Sequence, residues 1–247
     1  MSRVIALVSG AEAREFDTDL PYLSRALGDR GIITEIVDWD NASTDWSRYS
    51  MAIVRSPWDY HRRYPEFLAW LDSVSAATTL QNSADIIRWN TNKEYLAELV
   101  EAQIGVIPTT FVRSAEELVT ITNEGMLERD IVVKPTISAG SNNTERHEES
   151  PVKAAAHLGF LLDAGFVAIV QPYQRFIDER GETGMVYFNG QLSHSFRKGA
   201  ILATGENAKN GLFTVEEITP RTASGQEREL GEAVMTFVKK KFGEYPL

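Results

Sequence analysis

The residues with the clearest chemical potential form one segment, residues 131–144, which reads IVVKPTISAGSNNT. Three apolar residues of high β-propensity lead to Lys134, and Pro135 then ends the hydrogen-bonding ladder. The small residues that follow are typical of a loop. A lysine at a strand end beside backbone N–H groups suits a phosphate. The pattern predicts a phosphate-binding loop; the alternative is a buried strand whose lysine reaches solvent above an ordinary turn.

Other nucleotide and metal motifs are absent from the sequence. The segment is not a Walker loop, because its lysine precedes the loop instead of closing it. No Gly-x-Gly-x-x-Gly follows the first predicted strand, which argues against a dinucleotide-dependent oxidoreductase. The histidines lack the spacing of a zinc helix and are interpreted as scattered, so no zinc site is predicted. They are His61, His147, His157 and His194.

The elements that precede this loop can be read from hydrophobic periodicity. Residues 3–8, 34–39 and 51–55 are predicted strands and residues 20–29 a predicted helix, which together indicate a small open α/β domain. Ligands of such sheets bind beyond the carboxyl ends of the strands. Arg55 occupies such an end, so we expect it either to contact an anionic substrate or to form a structural ion pair.

Lys93 is the second cation of interest. It stands at the start of a helix predicted at residues 93–103, where a positive charge is unfavourable unless an anion lies beside it. A short strand is predicted at residues 107–112, and Ser114 with Glu117 forms a capping-box pattern that opens the next helix. The position of Lys93 is therefore a hint of anion binding.

The part of the chain after the loop reads as alternating helix and strand. The predicted elements are a helix beginning at Pro151, strands at 166–173, 184–188 and 191–198, a turn at 178–182, a strand at 212–218 and a closing helix at 224–242. Asn189-Gly190 between two β-rich runs predicts a tight hairpin. Alternation along its second arm places Arg197 and Lys198 on opposite faces, so one of these two cations faces inward.

Composition limits the classes of function. The 247 residues carry a formal net charge of −10, which argues against nucleic-acid binding. The absence of cysteine excludes disulfides, thiolate metal sites and a thiol nucleophile. The amino terminus lacks the apolar length of a signal peptide, and the most apolar region, residues 154–170, is interrupted by His157 and Asp163. We therefore expect a cytoplasmic protein with no membrane span.

Four motifs in this order resemble the ATP-grasp ligases, in particular the glutathione-synthetase-like and cycloserine-pathway-like branch. They are NTNK at 90–93, VVKP at 132–135, VQPY at 170–173, and Gly181-Glu182 with the hairpin ending HSFRKG at 194–199. The segment RSPWDY at 55–60 precedes them. The resemblance implies a mixed α/β and α+β fold. Its parts are a small Rossmann-like pre-ATP-grasp domain at 1–82, a central linker with the first ATP-grasp part at 83–130, and an ATP-binding subdomain with an incomplete C-terminal part at 131–247.

The resemblance also implies site roles. The cofactor is ATP, and the residues implied in its binding are Lys93 and Lys134 at the phosphates, Ser138, Gly140 and Ser141 in the closing loop, Gln171, Pro172 and Tyr173 at the adenine, and Glu182 at the ribose. Arg197 or Lys198 would face the γ-phosphate and the acceptor carboxylate, and Arg55 would contact the substrate.

The implied activity is an ATP-dependent C–N ligation. A substrate carboxylate attacks the γ-phosphorus to give an acylphosphate, which an amine then displaces, and fixed cations stabilise the negative charge that develops. The expected partners are a small-molecule carboxylate and an amine, of amino-acid or peptide type. Neither a nucleic acid nor a membrane is expected as a partner.

The resemblance weakens at the end of the chain. The family holds Mg²⁺ with carboxylates on strands that follow the closing helix, whereas this sequence ends at Leu247 without such a pair. Mg²⁺ is expected from the family, but no ligand is assigned. Three alternatives remain open: a truncated ligase, an incomplete relative that binds nucleotide as a binding or interaction protein, or a site that a partner completes. Missing strands would also expose a sheet edge, which leaves homo-oligomerisation open.

Overall fold

The computed structural model describes residues 4–200, 202, 217–243 and 245. The chain forms two compact units, which divide between Asn90 and Thr91. The domain boundaries placed at residues 82 and 130 stay predictions, since the first unit continues past residue 82 and residues 91–130 belong to the second. Within the described part of the chain, no helix combines the length and the apolar content that a membrane span needs.

The first unit is built on a parallel sheet with the strand order β2-β1-β3-β4. Its elements are β1 (Val4–Ser9), α1 (Leu20–Gly28), β2 (Ile33–Asp38), β3 (Met51–Ser56), α2 (Tyr64–Ala77), β4 (Leu80–Gln81) and α3 (Ala84–Thr91). β1 is central and nearly all apolar, with Leu7 and Val8 fully buried, as expected for a parallel strand covered on both faces. Phe67 of α2 packs against Trp39 and Trp70 in an aromatic core. The predicted open α/β domain is confirmed.

The second unit contains a larger antiparallel sheet with the order β5-β8-β6-β7. Its elements are α4 (Tyr95–Glu101), β5 (Thr110–Val112), α5 (Ala115–Asn123), β6 (Ile131–Pro135), β7 (Glu145–His147), α6 (Pro151–Asp163) and β8 (Ala168–Pro172). α5 and α6 contribute Ile121, Leu158 and Leu161 to one core with Ile131 and Val133 of β6. Because side chains alternate along a strand, Val132 and Lys134 face the opposite side of this sheet.

A smaller antiparallel sheet in the same unit has the order β11-β10-β9. Its elements are α7 (Phe176–Arg180), β9 (Glu182–Phe188), β10 (Gln191–Lys198), β11 (Ile218–Pro220) and α8 (Gly225–Phe242). The Asn189-Gly190 hairpin is confirmed, with φ of 50° and 77° at its two central residues, the left-handed pair that a two-residue turn requires. Gly184 lies opposite Phe196, and a Cβ at Gly184 would overlap the Phe196 ring.

Several predicted boundaries are wrong. The helix predicted at residues 93–103 begins only at Tyr95, so Lys93 precedes it. The turn predicted at 178–182 is instead the end of α7, which stops at Gly181 because this residue takes a positive φ of 67°. The strand predicted at 107–112 is limited to β5. Most of the strand predicted at 212–218 lies outside the described residues.

Candidate nucleotide site

A cavity of about 310 Å³ lies in the second unit, a volume at the lower end of the range for small-molecule sites. The larger sheet, the smaller sheet and the loop between β6 and β7 all contribute to its wall. The residues predicted to bind ATP all line it: Lys93, Lys134, Ser138, Gly140, Ser141, Gln171, Pro172, Tyr173 and Glu182. Lys198 lines it as well. The structure therefore brings together residues that are up to about a hundred positions apart in the sequence.

Lys134 reaches the cavity because of its place in β6. Ile131 and Val133 point into the core, so the residue between Val133 and Pro135 must face the other side of the sheet. Burial lowers the pKa of Lys134, and the carboxylate of Glu182 partly opposes that shift. The strand thus delivers a desolvated ammonium group to the cavity wall.

Lys93 enters the same cavity from the segment before α4. Its backbone N–H donates to the carbonyl of Thr136 at 2.9 Å, which anchors the residue beside the end of β6. Its Nζ donates to the Ser138 carbonyl at 3.0 Å and to Ser138 Oγ at 3.2 Å. Burial lowers the pKa of Lys93 to about 8, and the nearby Lys134 ammonium adds to this effect. Two like charges that are held in one buried cavity favour an anionic ligand.

The loop between β6 and β7 forms a further part of the wall, through Ser138, Ala139, Gly140, Ser141 and Thr144. Its turns are closed by backbone hydrogen bonds from Asn142 to Ala139 and from Thr144 to Ser141, each 3.1 Å long. Gly140 and Ser141 both adopt positive φ, of 59° and 58°. The small residues read from the sequence therefore form a tight, locally bonded loop against the cavity.

The end of β8 and the residue that follows it carry the predicted adenine-binding residues. Gln171 is buried, and its Nε2 donates to Thr109 Oγ1 at 2.8 Å. The Tyr173 N–H donates to the carbonyl of Asp130 at 2.9 Å, and its hydroxyl bonds to Asp178. Burial, with a smaller effect of Asp178, raises the pKa of Tyr173 to about 12. The Gln171 side chain and the Tyr173 backbone are therefore both held in place.

Sequence reasoning missed the residue that supports Tyr173. The Arg146 guanidinium lies over the Tyr173 ring, 3.5 Å from its centroid, and makes two 2.9 Å hydrogen bonds to the Asp130 carboxylate. The side chains of both Arg146 and Asp130 are less than a tenth exposed. Neighbouring cations hold the pKa of Asp130 below its usual range. No spacing in the sequence links these three residues, because they meet only through the pairing of β6 with β7 and β8.

The smaller sheet contributes one of the two predicted catalytic cations. Lys198 pairs in register with Glu182, and both line the cavity. Arg197 points elsewhere: its Nε donates to the Arg180 carbonyl at 3.0 Å, and it forms a 3.1 Å ion pair with Glu217. The inward-facing cation at this position is therefore Lys198.

Arg55 belongs to the first unit, at the end of β3. Its guanidinium lies 3.5 Å from the Asp17 carboxylate and 3.6 Å from that of Asp19. The Asp17 side chain is almost fully buried. This arrangement is the structural ion pair that the sequence left open as an alternative, and substrate contact by Arg55 stays a prediction.

The cavity wall offers few ligands for a magnesium ion. Among the described residues, Glu182 is the one carboxylate on this wall, which is the lower limit of the one or two that an ion bridging phosphates takes as direct ligands. Glu182 also acts electrostatically on Lys134. We therefore derive no step through magnesium from these residues.

The interpretation of the histidines as scattered is wrong for two of them. His147 at the end of β7 and His157 in α6 are both buried, and Nε2 of the first lies 3.2 Å from Nδ1 of the second. Glu145 lies beside them. The sequence separation of ten hid this contact, since it depends on α6 folding back against β7.

Comparison with known proteins agrees with this geometry. The model of the N-terminal domain of the D-cycloserine synthetase DcsG matches residues 5–82. The cycloserine biosynthesis protein DcsG of Streptomyces lavendulae is 36% identical over 204 residues, which are 81% of this chain and 68% of that protein. A crystal structure of D-cycloserine synthetase DcsG, 33% identical, superposes with a TM-score of 0.87 over 97% of this chain and 82% of its own. D-alanyl-alanine synthetase A of Vibrio cholerae shares the fold, with a TM-score of 0.68 at 11% identity over 99% of this chain and 82% of its own.

Proposed function

Because this chain belongs to the cycloserine-synthetase branch of the ATP-grasp ligases, we propose that its cavity binds ATP and that it joins a small amino-acid carboxylate to a nitrogen nucleophile. The family is one of ATP-dependent ligases that act on small amino-acid-like substrates. The observation that carries the assignment of the site is the convergence of Lys93 and Lys134, two buried lysines from distant segments, on one cavity beside a glycine-containing loop.

The reaction would proceed in two steps. The substrate carboxylate attacks the γ-phosphorus of ATP, the bond to the β-phosphate oxygen breaks, and ADP leaves. The nitrogen nucleophile then attacks the acyl carbon and expels phosphate, which leaves the new C–N bond. In both steps negative charge develops on oxygen, where fixed cations are most effective because they need no reorganisation. In our proposal Lys93 and Lys134 hold the phosphates, and Lys198 faces the transferred phosphoryl group.

The remaining wall would position the nucleotide and exclude water. Gln171, Pro172 and Tyr173 would contact the adenine, largely through the backbone. Asp130 holds that backbone at Tyr173, and Thr109 holds the Gln171 side chain. Glu182 would meet the ribose. Ser138, Gly140 and Ser141 would cover the phosphates, which matters because an acylphosphate that is exposed to water hydrolyses. The substrate class follows from the relative named D-cycloserine synthetase, and we propose an amino-acid-derived carboxylate.

A second candidate is nucleotide binding without ligation. It is favoured by the small number of carboxylates on the described cavity wall. Glu182 alone among the described wall residues could approach a phosphate-bound cation. The two candidates differ in turnover. Release of ADP and phosphate that depends on an added amino-acid carboxylate supports the ligase, and ATP binding without such release supports the binding protein.

The first experiment measures thermal unfolding with and without ATP. At about one hundred times its dissociation constant, ATP should add about 2.7 kcal/mol to the free energy of unfolding. We expect Lys134→Ala to lose this stabilisation and the surface variant Lys240→Ala to keep it. Equal ATP stabilisation of both variants would show that the cavity is not the nucleotide site.

A further inference from the structure

Outside the nucleotide cavity, one cluster of metal-ligating side chains links β7 to α6. His147 Nε2 and Glu145 Oε2 are 3.8 Å apart, His157 Nδ1 and the same Glu145 oxygen are 3.9 Å apart, and the two imidazole nitrogens are 3.2 Å apart. Both imidazoles are buried, and the Glu145 side chain is 37% exposed. The described cavity-lining residues do not include any of these three.

We propose that Glu145, His147 and His157 form a binding site for a divalent transition-metal ion, with Zn²⁺ as the best match. A triangle with sides of 3.2, 3.8 and 3.9 Å has a circumradius of about 2.1 Å, so one point lies about that far from all three ligand atoms. Zn²⁺ binds imidazole nitrogen at about 2.0–2.1 Å and carboxylate oxygen at about 2.0–2.2 Å. The ligand atoms therefore need little movement to bind the ion.

The type of ligand selects the class of ion. Two imidazoles and one carboxylate suit Zn²⁺ and its neighbours in the first transition row, whereas Mg²⁺ and Ca²⁺ prefer oxygen ligands. Three protein ligands leave a further position for water on the side where Glu145 is exposed. Burial lowers the pKa of both histidines, which keeps them in the neutral form that binds metals.

Groups around the cluster have opposite effects on metal affinity. His157 makes a hydrogen bond to the backbone of Asn143, the kind of outer contact that orients metal-binding imidazoles. The ammonium of Lys153 acts on His147 and opposes an added cation. Glu145 supplies one compensating negative charge. We therefore expect the site to bind the ion at neutral pH, with a lower affinity than a closed structural zinc site.

An ion at this position would connect three segments. Asn143 lies near the end of the cavity loop, Glu145 and His147 lie on β7, and His157 lies in the second turn of α6. Metal binding would therefore stabilise the packing of β7 and the end of the cavity loop against α6. The alternative is a hydrogen-bonded pair of neutral histidines with no affinity for metal, and the two readings predict different spectra.

The test is titration of the tag-free, chelator-treated protein with Co²⁺, which gives visible absorption when it is bound by nitrogen and oxygen ligands in a low-coordinate site. We expect one Co²⁺ per chain, displaced by Zn²⁺ but not by equal Mg²⁺. His147→Gln and His157→Gln should weaken Co²⁺ binding by at least about a hundredfold, more than the loss of an outer-shell contact. His194→Gln, an exposed histidine on β10, is the matched control and should bind normally.

The outcome is decisive in each case. Absence of a Co²⁺ spectrum, binding that survives in both histidine variants, or equal loss in His194→Gln overturns the proposal. If the buried histidine variants do not fold, Glu145→Gln decides, because its partly exposed side chain tolerates the change. About tenfold weaker Co²⁺ binding in Glu145→Gln supports the site, and unchanged binding overturns it.

Discussion

Lys93 should make nucleotide binding depend on pH in a range where most lysines do not titrate. Its pKa is lowered from 10.5 to about 8, chiefly by burial. A phosphate beside Nζ favours the charged form, so the pKa in a complex with ATP must be higher than in the ligand-free protein. Binding above pH 8 is therefore coupled to the uptake of a proton.

The magnitude follows from the fraction of Lys93 that is protonated before ATP binds. With a pKa of about 8, this fraction is about three quarters at pH 7.5 and about one tenth at pH 9. If only the protonated form binds phosphate, the dissociation constant of ATP should be about eightfold higher at pH 9 than at pH 7.5. The terminal phosphate, with its pKa of about 6, is already ionised throughout this range.

The lowered pKa of Lys93 also makes the free energy of unfolding of the ligand-free protein depend on pH. Between pH 8 and 10.5 the unfolded chain keeps a proton on Lys93 that the folded protein has lost. The unfolded state then binds more protons, so the free energy of unfolding should rise with pH through this window as far as Lys93 is concerned. ATP affinity and intrinsic stability therefore change in opposite directions.

Isothermal titration calorimetry in buffers of different ionisation enthalpy measures the dissociation constant of ATP and the number of protons taken up per ATP bound. At pH 9 we expect uptake of about 0.9 proton per ATP, and at pH 7.5 about one quarter. Lys93→Arg is the matched variant, because a guanidinium stays charged across the range and should remove the proton uptake that Lys93 contributes. A dissociation constant that is independent of pH in the parent protein, or proton uptake that persists unchanged in Lys93→Arg, would refute the reasoning.

Two further predictions concern stability and can be checked by urea or thermal unfolding. Arg146→Ala should lower the free energy of unfolding by about 3 kcal/mol, because it leaves the buried Asp130 carboxylate with a weaker partner. Arg175→Ala removes an exposed partner of the same carboxylate and should lower it by less than about 1 kcal/mol. Equal losses of stability in the two variants would contradict the difference in burial between Arg146 and Arg175. Ser224→Ala should cost about 1 kcal/mol because Ser224 and Glu227 form a full capping box at the start of α8; an unchanged unfolding midpoint would argue against this cap.

The elements with a strong local signal could be predicted from the sequence. Lys134 follows three β-forming residues and precedes a proline, and the structure places it in β6 as expected. Asn189-Gly190 specifies its own hairpin, because both residues tolerate positive φ. In these cases the local conformational preference and the tertiary fold agree.

The start of α4 could not be predicted because a distant contact determines it. The backbone N–H of Lys93 donates to Thr136, forty-three residues later, while the Asn92 side chain accepts from the N–H of Glu94. These bonds hold Lys93 outside α4, although the local sequence around it favours a helix. No window of local sequence contains Thr136, and the contact of His147 with His157 was missed for a similar reason.

The close contact of Gly184 with Phe196 fixes how β9 and β10 are aligned. The Phe196 ring occupies space that only a residue without a side chain leaves open. A slip of one residue would place that ring against Thr183 or Met185 and would turn every side chain of β10 to the opposite face of the sheet. Lys198 would then leave the cavity and Arg197 would take its place. A missing methyl group on one strand thus determines which of two adjacent cations the cavity receives.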